Sequence, residues 1–249
     1  MIRLLLIFII FAILIFVLIK QYKKKQQRNI QANRFLHFTI TPKNTIILLD
    51  LHDVVFELDW AKVFTLIKKR DDRWWIFIRF IRPLLLFYGA VLFYNQGSWN
   101  EFIIFLKKRF PHLMQYVPLF KKILNQQKPI EQTIALIKAL KKEGYRIDIA
   151  SNIGQSFLNH LQRSYPAIFA DFDHIKITSS NGSVLLKKPN LDFFRDYLAT
   201  FNSDGKHIIF VDNHLPSVQA AQKLGIIGIH FQNPEQLKQQ LIALGVLQK

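Results

Sequence analysis

Four polar residues stand where a predicted strand ends or a predicted helix begins. Asp50, Ser151 and Asp212 each end a predicted strand, and Lys188 precedes a proline at a predicted helix start. Two carboxylates can hold a divalent cation or attack an electrophile, a hydroxyl can bind a phosphate oxygen, and an ammonium offsets anionic charge. Each residue alone is also explained as a helix cap, a turn former or a solvated surface group. Their chemistry therefore depends on whether the fold brings them together.

The body of the chain alternates strand-like and helix-like segments. The predicted strands are 45–50, 146–150, 174–178, 207–211 and 226–231. The predicted helices are 130–143, 155–163, 190–200, 215–223 and one that begins near Pro234. Repeated β-α units predict an α/β fold in which helices cover both faces of a parallel sheet. Ligands of such sheets bind at the carboxyl ends of the strands, where Asp50, Ser151 and Asp212 stand.

Residues 56–128 interrupt this alternation between the first strand and its crossover helix. The predicted helices in this segment are 61–70, 74–95, 99–110 and 115–126. An insertion of this length predicts a separate helical cap over 56–128. The core would then consist of residues 45–55 and 129–249.

The N-terminus predicts a membrane anchor. Leu4 to Ile19 is an unbroken apolar run, and about 18 helical residues cover ~27 Å, enough to cross a hydrocarbon core. Lysines follow it directly, whereas a cleaved signal peptide would end at small residues. We therefore expect a transmembrane helix over 1–20 and a basic linker over 21–44. By the positive-inside rule, this single-pass N-terminal anchor would leave the catalytic domain in the cytoplasm.

The composition narrows the function further. A net charge of +17 indicates an anionic partner. The absence of cysteine excludes a disulfide scaffold, a thiolate zinc site and cysteine catalysis. The sequence contains no P-loop and no G-x-S-x-G nucleophile motif.

Much of the positive charge lies in the predicted cap. Residues 61–128 carry 13 Lys or Arg against 3 Asp or Glu, together with many aromatic residues. These aromatics are explained either as the interior of a helical bundle or as an interfacial surface that includes Trp74, Trp75 and Trp99. They fall in long apolar runs, a pattern that nucleic-acid binding explains less well. The predicted partners are thus an anionic membrane surface and a phosphorylated small molecule or lipid-linked substrate.

Four segments carry a family resemblance. LLDLHDVV, IASN, KKPN and IIFVDNHLPSVQAAQKLG resemble, in order and spacing, the four motifs of the haloacid dehalogenase (HAD) superfamily, in its phosphatase branch. The similarity covers about residues 45–55 and 129–232. It implies a Rossmann-like core with an α-helical cap after the first motif. It also implies hydrolysis through an aspartyl-phosphate, with Mg²⁺ as cofactor.

The resemblance also implies a role for each motif residue. Asp50 would be the nucleophile and a metal ligand. Ser151 and Asn152 would bind the phosphoryl group, and Lys188 would both bind it and stabilise its charge. Asp212 would hold the metal ion.

Two positions depart from the family pattern. His52 stands where the family usually has an acidic general acid; it can protonate a leaving alkoxide, or its larger ring can block the position. Its backbone carbonyl would be a metal ligand. The fourth motif reads Asp212-Asn213, and two alignments make either residue the metal ligand. Asp53 lies next to His52, but we expect it to point away from the site.

The sequence therefore predicts a membrane-anchored, Mg²⁺-dependent phosphohydrolase that cleaves a phosphomonoester. Two alternatives stay open. The departures at His52 and Asn213 also suit an inactive HAD-like scaffold that binds a phospho-ligand or a protein at the membrane. Dehalogenase chemistry would use the same aspartate nucleophile without a metal ion.

Overall fold

The computed structural model describes residues 39–68, 103–104, 107–109, 111, 114, 117–181, 184–201, 203 and 205–248. The predicted anchor, most of the predicted linker, and Trp74, Trp75 and Trp99 lie outside the described residues. Among the residues that are described, no helix combines the length and the apolar character needed to cross a bilayer.

The strands of the described residues form one large sheet and two small ones. They are β1 (Thr45–Leu49), β2 (Phe56–Leu58), β3 (Gln127–Pro129), β4 (Arg146–Ser151), β5 (His174–Ile177), β6 (Ser179–Asn181), β7 (Val184–Leu186), β8 (His207–Asp212) and β9 (Ile227–His230). The large sheet is parallel throughout, in the order β5-β4-β1-β8-β9. Its central strand, β1, is entirely buried, as expected for an apolar strand covered on both faces.

Eight helices accompany these strands in the described part of the chain. They are α1 (Trp60–Lys68), α2 (Val117–Leu124), α3 (Glu131–Lys142), α4 (Gln155–Ser164), α5 (Pro166–Phe169), α6 (Leu191–Thr200), α7 (Leu215–Gln222) and α8 (Pro234–Ala243). The helix predicted from residue 130 ends at Lys142, and the chain turns at Gly144, whose φ of +87° lies in the left-handed region.

Two apolar clusters cover the opposite faces of the large sheet. Ile47 and Leu49 of β1 belong to a cluster that includes side chains of α3, α4 and α8. Ile46 and Leu48 belong to a second cluster, built with Phe193 and other side chains of α6 and α7. Because side chains alternate along a strand, β1 contributes to both cores. The predicted α/β core, a Rossmann-like parallel sheet with helices on both faces, is confirmed.

The segment predicted as a helical cap begins and ends as strand. β2 pairs with β3 in an antiparallel ribbon, with Phe56 opposite Pro129 and Leu58 opposite Gln127. The ribbon continues one step further, since the Asp59 N–H donates to the Gln126 carbonyl at 2.7 Å. The two ends of this segment, at Leu58 and Gln127, thus lie side by side. The sequence pattern predicts only helices within this segment. α1 and α2 lie where the first and last of them are predicted, and most of the segment lies outside the described residues.

Tyr165, between α4 and α5, joins this ribbon to the core. Its hydroxyl donates to the Gln127 carbonyl of β3 at 2.6 Å, and its ring lies 5.1 Å from the ring of Phe56 in β2. His160 of α4 makes a second contact nearby, with Nε2 3.2 Å from the Asn125 carbonyl. One core residue therefore contacts both strands of the ribbon.

A buried ionic network includes Tyr197, a member of the second apolar cluster. Asp148 of β4 is fully buried and accepts hydrogen bonds from Nε and Nη2 of Arg146. The Tyr197 hydroxyl of α6 donates to the same carboxylate at 2.6 Å. Burial, together with this carboxylate, raises the pKa of the Tyr197 phenol well above its ordinary value of 10.0. The network therefore favours a protonated tyrosine in the folded chain.

Candidate active site

Asp50 follows the central strand at its carboxyl end. Its N–H donates to the Val211 carbonyl at 2.9 Å, continuing the pairing of β1 with β8, so Asp50 lies beside Asp212. The Asp50 carboxylate accepts the N–H of Leu51 at Oδ1, at 2.8 Å. The sheet register thus brings the two predicted carboxylates together at one edge, as the sequence predicted.

Lys188 completes a charged cluster with these two carboxylates. Its Nζ lies 3.0 Å from Oδ1 of Asp50 and 2.7 Å from Oδ2 of Asp212. The Lys188 side chain is only 2% exposed, and the Asp212 side chain 1%. It reaches the sheet edge from the loop between β7 and α6, far from either aspartate in the sequence. The spatial meeting of these three residues is therefore a property of the fold.

Burial and charge oppose each other within this cluster. Burial raises the pKa of Asp212 to about 7, and the Lys188 ammonium offsets this only in part. Burial alone would lower the pKa of Lys188, but Asp212 and Asp50 outweigh it, and the pKa is raised. Lys188 therefore stays charged at neutral pH. A buried carboxylate whose pKa is raised beside a specific charged partner is a common mark of a functional site.

The second predicted motif reaches the same edge of the sheet. Ser151 is buried at the end of β4, the neighbour of β1. Asn152 comes next, and its side chain binds the main chain of Lys188: Oδ1 accepts the Lys188 N–H at 2.8 Å, and Nδ2 donates to the Lys188 carbonyl at 2.7 Å. The structure thus gives Asn152 a contact that the sequence analysis did not anticipate.

The two departures from the family pattern lie on the exposed side of the site. The backbone of Asp53 has a φ of +59°, and its carboxylate lies 3.8 Å from Nε2 of His52 and 3.5 Å from Nδ2 of Asn213. Asn213 is exposed, whereas Asp212 is buried against Lys188. Of the two aligned candidates, Asp212 is therefore the one in the charged cluster. Asp53 lies outside that cluster, as expected, but it contacts both departing residues.

His214 supports the Asp212 carboxylate. Its N–H donates to Oδ1 of Asp212 at 2.6 Å, and its Nδ1 lies 2.8 Å from Oγ of Ser217. Burial and the nearby Lys188 ammonium lower the pKa of the His214 imidazole. A neutral ring at neutral pH follows, and the hydrogen bond from its backbone fixes one oxygen of Asp212.

The donor set fits a hard divalent cation. Among the described residues, no group of three acidic, histidine or cysteine side chains has an arrangement that could hold a metal ion. Mg²⁺ needs no such group, because it keeps several waters and binds one or two carboxylates and substrate phosphate oxygens. Asp50 and Asp212 supply two carboxylates, to which the His52 carbonyl would add an oxygen. The residues present are therefore compatible with Mg²⁺.

The family of the chain follows from its sequence. Residues 45–225, well over half of the chain, match the haloacid dehalogenase-like hydrolase family. The chain belongs to the HAD-like hydrolases. The matched residues contain all four motifs, from Asp50 to Asp212.

Two characterised proteins share sequence with parts of this HAD-like chain. Sesquiterpene phosphatase astK of Aspergillus oryzae is 27% identical over 112 residues, which is 45% of this chain and 55% of that protein. Drimenol cyclase drtB of Aspergillus calidoustus is 33% identical over 61 residues, 24% of this chain and 12% of that protein. The chain thus spans about half the length of the first relative and a small part of the second.

Solved structures share the HAD fold. YfnB of Bacillus subtilis, a HAD-hydrolase bound to magnesium, has a TM-score of 0.54 at 16% identity, covering 81% of this chain and 99% of YfnB. L-2-haloacid dehalogenase of Xanthobacter autotrophicus, with chloropropionic acid covalently bound, has a TM-score of 0.51 at 14% identity, covering 84% and 85%. At these identities the similarity establishes the fold alone.

Proposed function

We propose that this HAD-like hydrolase is a phosphohydrolase that transfers the phosphoryl group of a monoester to Asp50 and then to water. The observation that carries the proposal is the buried contact of Lys188 with both Asp50 and Asp212 at the carboxyl edge of the sheet. A phosphatase, astK, among its sequence relatives supports attack on a phosphate ester over displacement of halide from carbon.

The proposed reaction has two steps. In the first, a carboxylate oxygen of Asp50 attacks phosphorus, the bond from phosphorus to the ester oxygen breaks, and the leaving alkoxide takes a proton from the His52 imidazolium. In the second, neutral His52 takes a proton from water, which attacks phosphorus and releases inorganic phosphate and the Asp50 carboxylate. Lys188 offsets the anionic charge that develops on the phosphoryl oxygens, and Ser151 binds one of them.

Asp50, Asp212 and the His52 carbonyl would hold Mg²⁺ in this proposal. When bound, the ion would supply Lewis-acid stabilisation of the phosphoryl group. HAD-like hydrolases generally use Mg²⁺, and YfnB is bound to magnesium. The charge of the ion would also reduce the electrostatic cost of placing an anionic substrate beside two carboxylates.

We propose a lipid-like monophosphate as the substrate, specifically a prenyl monophosphate. The names of both curated relatives refer to sesquiterpenoid chemistry, and astK is a phosphatase. A net charge of +17 and the aromatic composition of the 61–128 segment suit an anionic head with an apolar tail. The apolar run of residues 4–19 would anchor the enzyme in the membrane where such a substrate resides, with its catalytic domain in the cytoplasm.

The test uses the full-length protein in detergent micelles. Release of inorganic phosphate is measured from farnesyl monophosphate and from p-nitrophenyl phosphate, with Mg²⁺ and with a chelator. We expect hydrolysis that needs Mg²⁺, prefers the prenyl substrate and disappears in Asp50→Asn. Asp192→Asn is the matched control, since Asp192 is exposed and bonded to Arg195 on α6, and it should keep full activity.

Two outcomes would count against the proposal. Activity that survives the chelator would indicate metal-free chemistry. If neither substrate releases phosphate but the protein still binds inorganic phosphate, the non-catalytic scaffold would be favoured.

A further inference from the structure

Asn152 makes a two-point contact with one residue of a distant loop. Its side-chain oxygen accepts the main-chain N–H of Lys188, and its side-chain nitrogen donates to the Lys188 carbonyl. The partners fix the orientation of the amide, because a reversed amide would face a donor with a donor and an acceptor with an acceptor. Both polar atoms of the side chain are thus engaged with the main chain of Lys188.

The contact fixes the point from which the Lys188 side chain starts. A lysine stem has four carbons and many rotamers, so its ammonium reaches a defined place only if the backbone and the surroundings are fixed. The ammonium of Lys188 contacts Asp50 and Asp212 and lies 5.3 Å from the centre of the Phe210 ring. Asn152 holds the other end of the same residue.

We propose that Asn152 is a positioning residue, which holds the main chain of Lys188 so that its ammonium bridges Asp50 and Asp212. The kinetic consequence of this inference rests on the proposed function. The structural part, the position of Lys188, does not. The positioning role differs from the role implied by the family resemblance, in which Asn152 binds the phosphoryl group itself.

The first test measures how accessible Lys188 is, without any assay of activity. Full-length protein is acetylated briefly with acetic anhydride, and mass spectrometry compares Lys188 with the neighbouring, partly exposed Lys187. Loss of two hydrogen bonds in Asn152→Ala should raise acetylation of Lys188 relative to Lys187 by about tenfold. Asn159→Ala, an asparagine on α4 bonded to Gln155, is the matched control and should leave the ratio unchanged.

A reporter lysine and a second variant distinguish local exposure of Lys188 from global unfolding. Lys176, mostly buried and paired with Asp196, reports global unfolding if it becomes acetylated too. Asn152→Asp keeps the acceptor for the Lys188 N–H but loses the donor, so it should give an intermediate ratio with Lys176 still protected. An unchanged Lys188 ratio in a folded variant would overturn the inference, whether or not the chain is a phosphatase.

The second test separates positioning from direct phosphate binding. If Asn152 acts only through Lys188, Asn152→Ala should lower kcat more than it raises KM, and it should add no further loss to Lys188→Ala. A direct contact with phosphate would instead raise KM and give additive losses in the double variant, which would contradict the inference. Absence of wild-type turnover would refute the proposed function, and the acetylation result would then decide the inference by itself.

Discussion

The Nζ atom of Lys188 lies 2.7 Å from Oδ2 of Asp212, and both side chains are almost completely shielded from solvent. Asp50 is the second anionic partner of the same ammonium. One positive charge thus compensates two carboxylates in a region of low dielectric, where an unpaired charge is costly. This arrangement makes Lys188 important for stability as well as for the proposed reaction.

Replacing Lys188 with methionine should destabilise the fold. Lys188→Met keeps much of the side-chain volume but leaves two buried carboxylates without their cation, and removing one partner of a buried pair costs about 3–5 kcal/mol. The free energy of unfolding, measured by urea denaturation without Mg²⁺, should fall by this amount. Lys187→Met is the adjacent control and should change it by less than about 0.5 kcal/mol. Equal stability of the two variants would contradict the importance of the buried pair.

Mg²⁺ should stabilise the folded chain through Asp212. A ligand that binds only the folded state at about 100 times its Kd adds about 2.7 kcal/mol to the free energy of unfolding. We expect this gain in the wild type and in Asn213→Ala, but not in Asp212→Asn. Thermal unfolding with and without Mg²⁺ measures it. The opposite result, with the gain lost only in Asn213→Ala, would make Asn213 the metal ligand.

Tyr197 should make the fold sensitive to alkaline pH. Its pKa is raised in the folded state, so above pH 10 the unfolded chain releases the phenolic proton while the folded chain keeps it. The stability due to the protonated phenol is therefore fully present below pH 10. It is lost as the pH rises above 10, by about 1.4 kcal/mol per pH unit. Tyr197→Phe should lack this part of the pH dependence.

Chemical denaturation of both proteins between pH 9 and 11 measures the effect of Tyr197. The difference in unfolding free energy between wild type and Tyr197→Phe should shrink with increasing pH. Parallel curves across this range would show that Tyr197 does not titrate on unfolding in the expected direction.

Tyr165 should control the opening of the β2–β3 ribbon. Tyr165→Phe keeps the ring contact with Phe56 but loses the hydrogen bond to the Gln127 carbonyl, which should cost about 0.5–1.5 kcal/mol. Amide hydrogen exchange should become faster in β2 and β3, while β8 and β9 keep the exchange rates of the wild type. Unchanged exchange in the ribbon would mean that the hydroxyl does not hold it to the core.

The strands that form the site were predictable because each has a strong local signal. TIILL of β1 and HIIFV of β8 are apolar runs, and a parallel sheet aligns the ends of its neighbouring strands. The proximity of Asp50 and Asp212 follows from these two facts. β2 and β3 were missed because FEL and QKP have only three residues each, too few to distinguish a strand from a turn or a helix end. They pair only because the core brings together segments about 70 residues apart, and such nonlocal pairing leaves no local pattern.

The contact of Asn152 with Lys188 could not be predicted for a different reason. It is made with main-chain atoms, which every residue type carries, and the two residues are 36 positions apart. The direction of the Asp53 side chain depends on the left-handed backbone conformation of this residue. An aspartate can adopt that conformation but does not require it, so the sequence does not predict it. The sequence thus identified the charged groups of the site, while the fold determines what holds them.

Because Leu58 pairs with Gln127, the segment between them could be replaced without moving the two strands. The segment from Asp59 to Gln126 begins and ends at neighbouring positions of one ribbon. The core therefore imposes no fixed length on this segment. A short hairpin turn could close the same two strands after excision, and a foreign segment could be grafted there. Exchange of this segment would therefore leave the two carboxylates and their lysine in place.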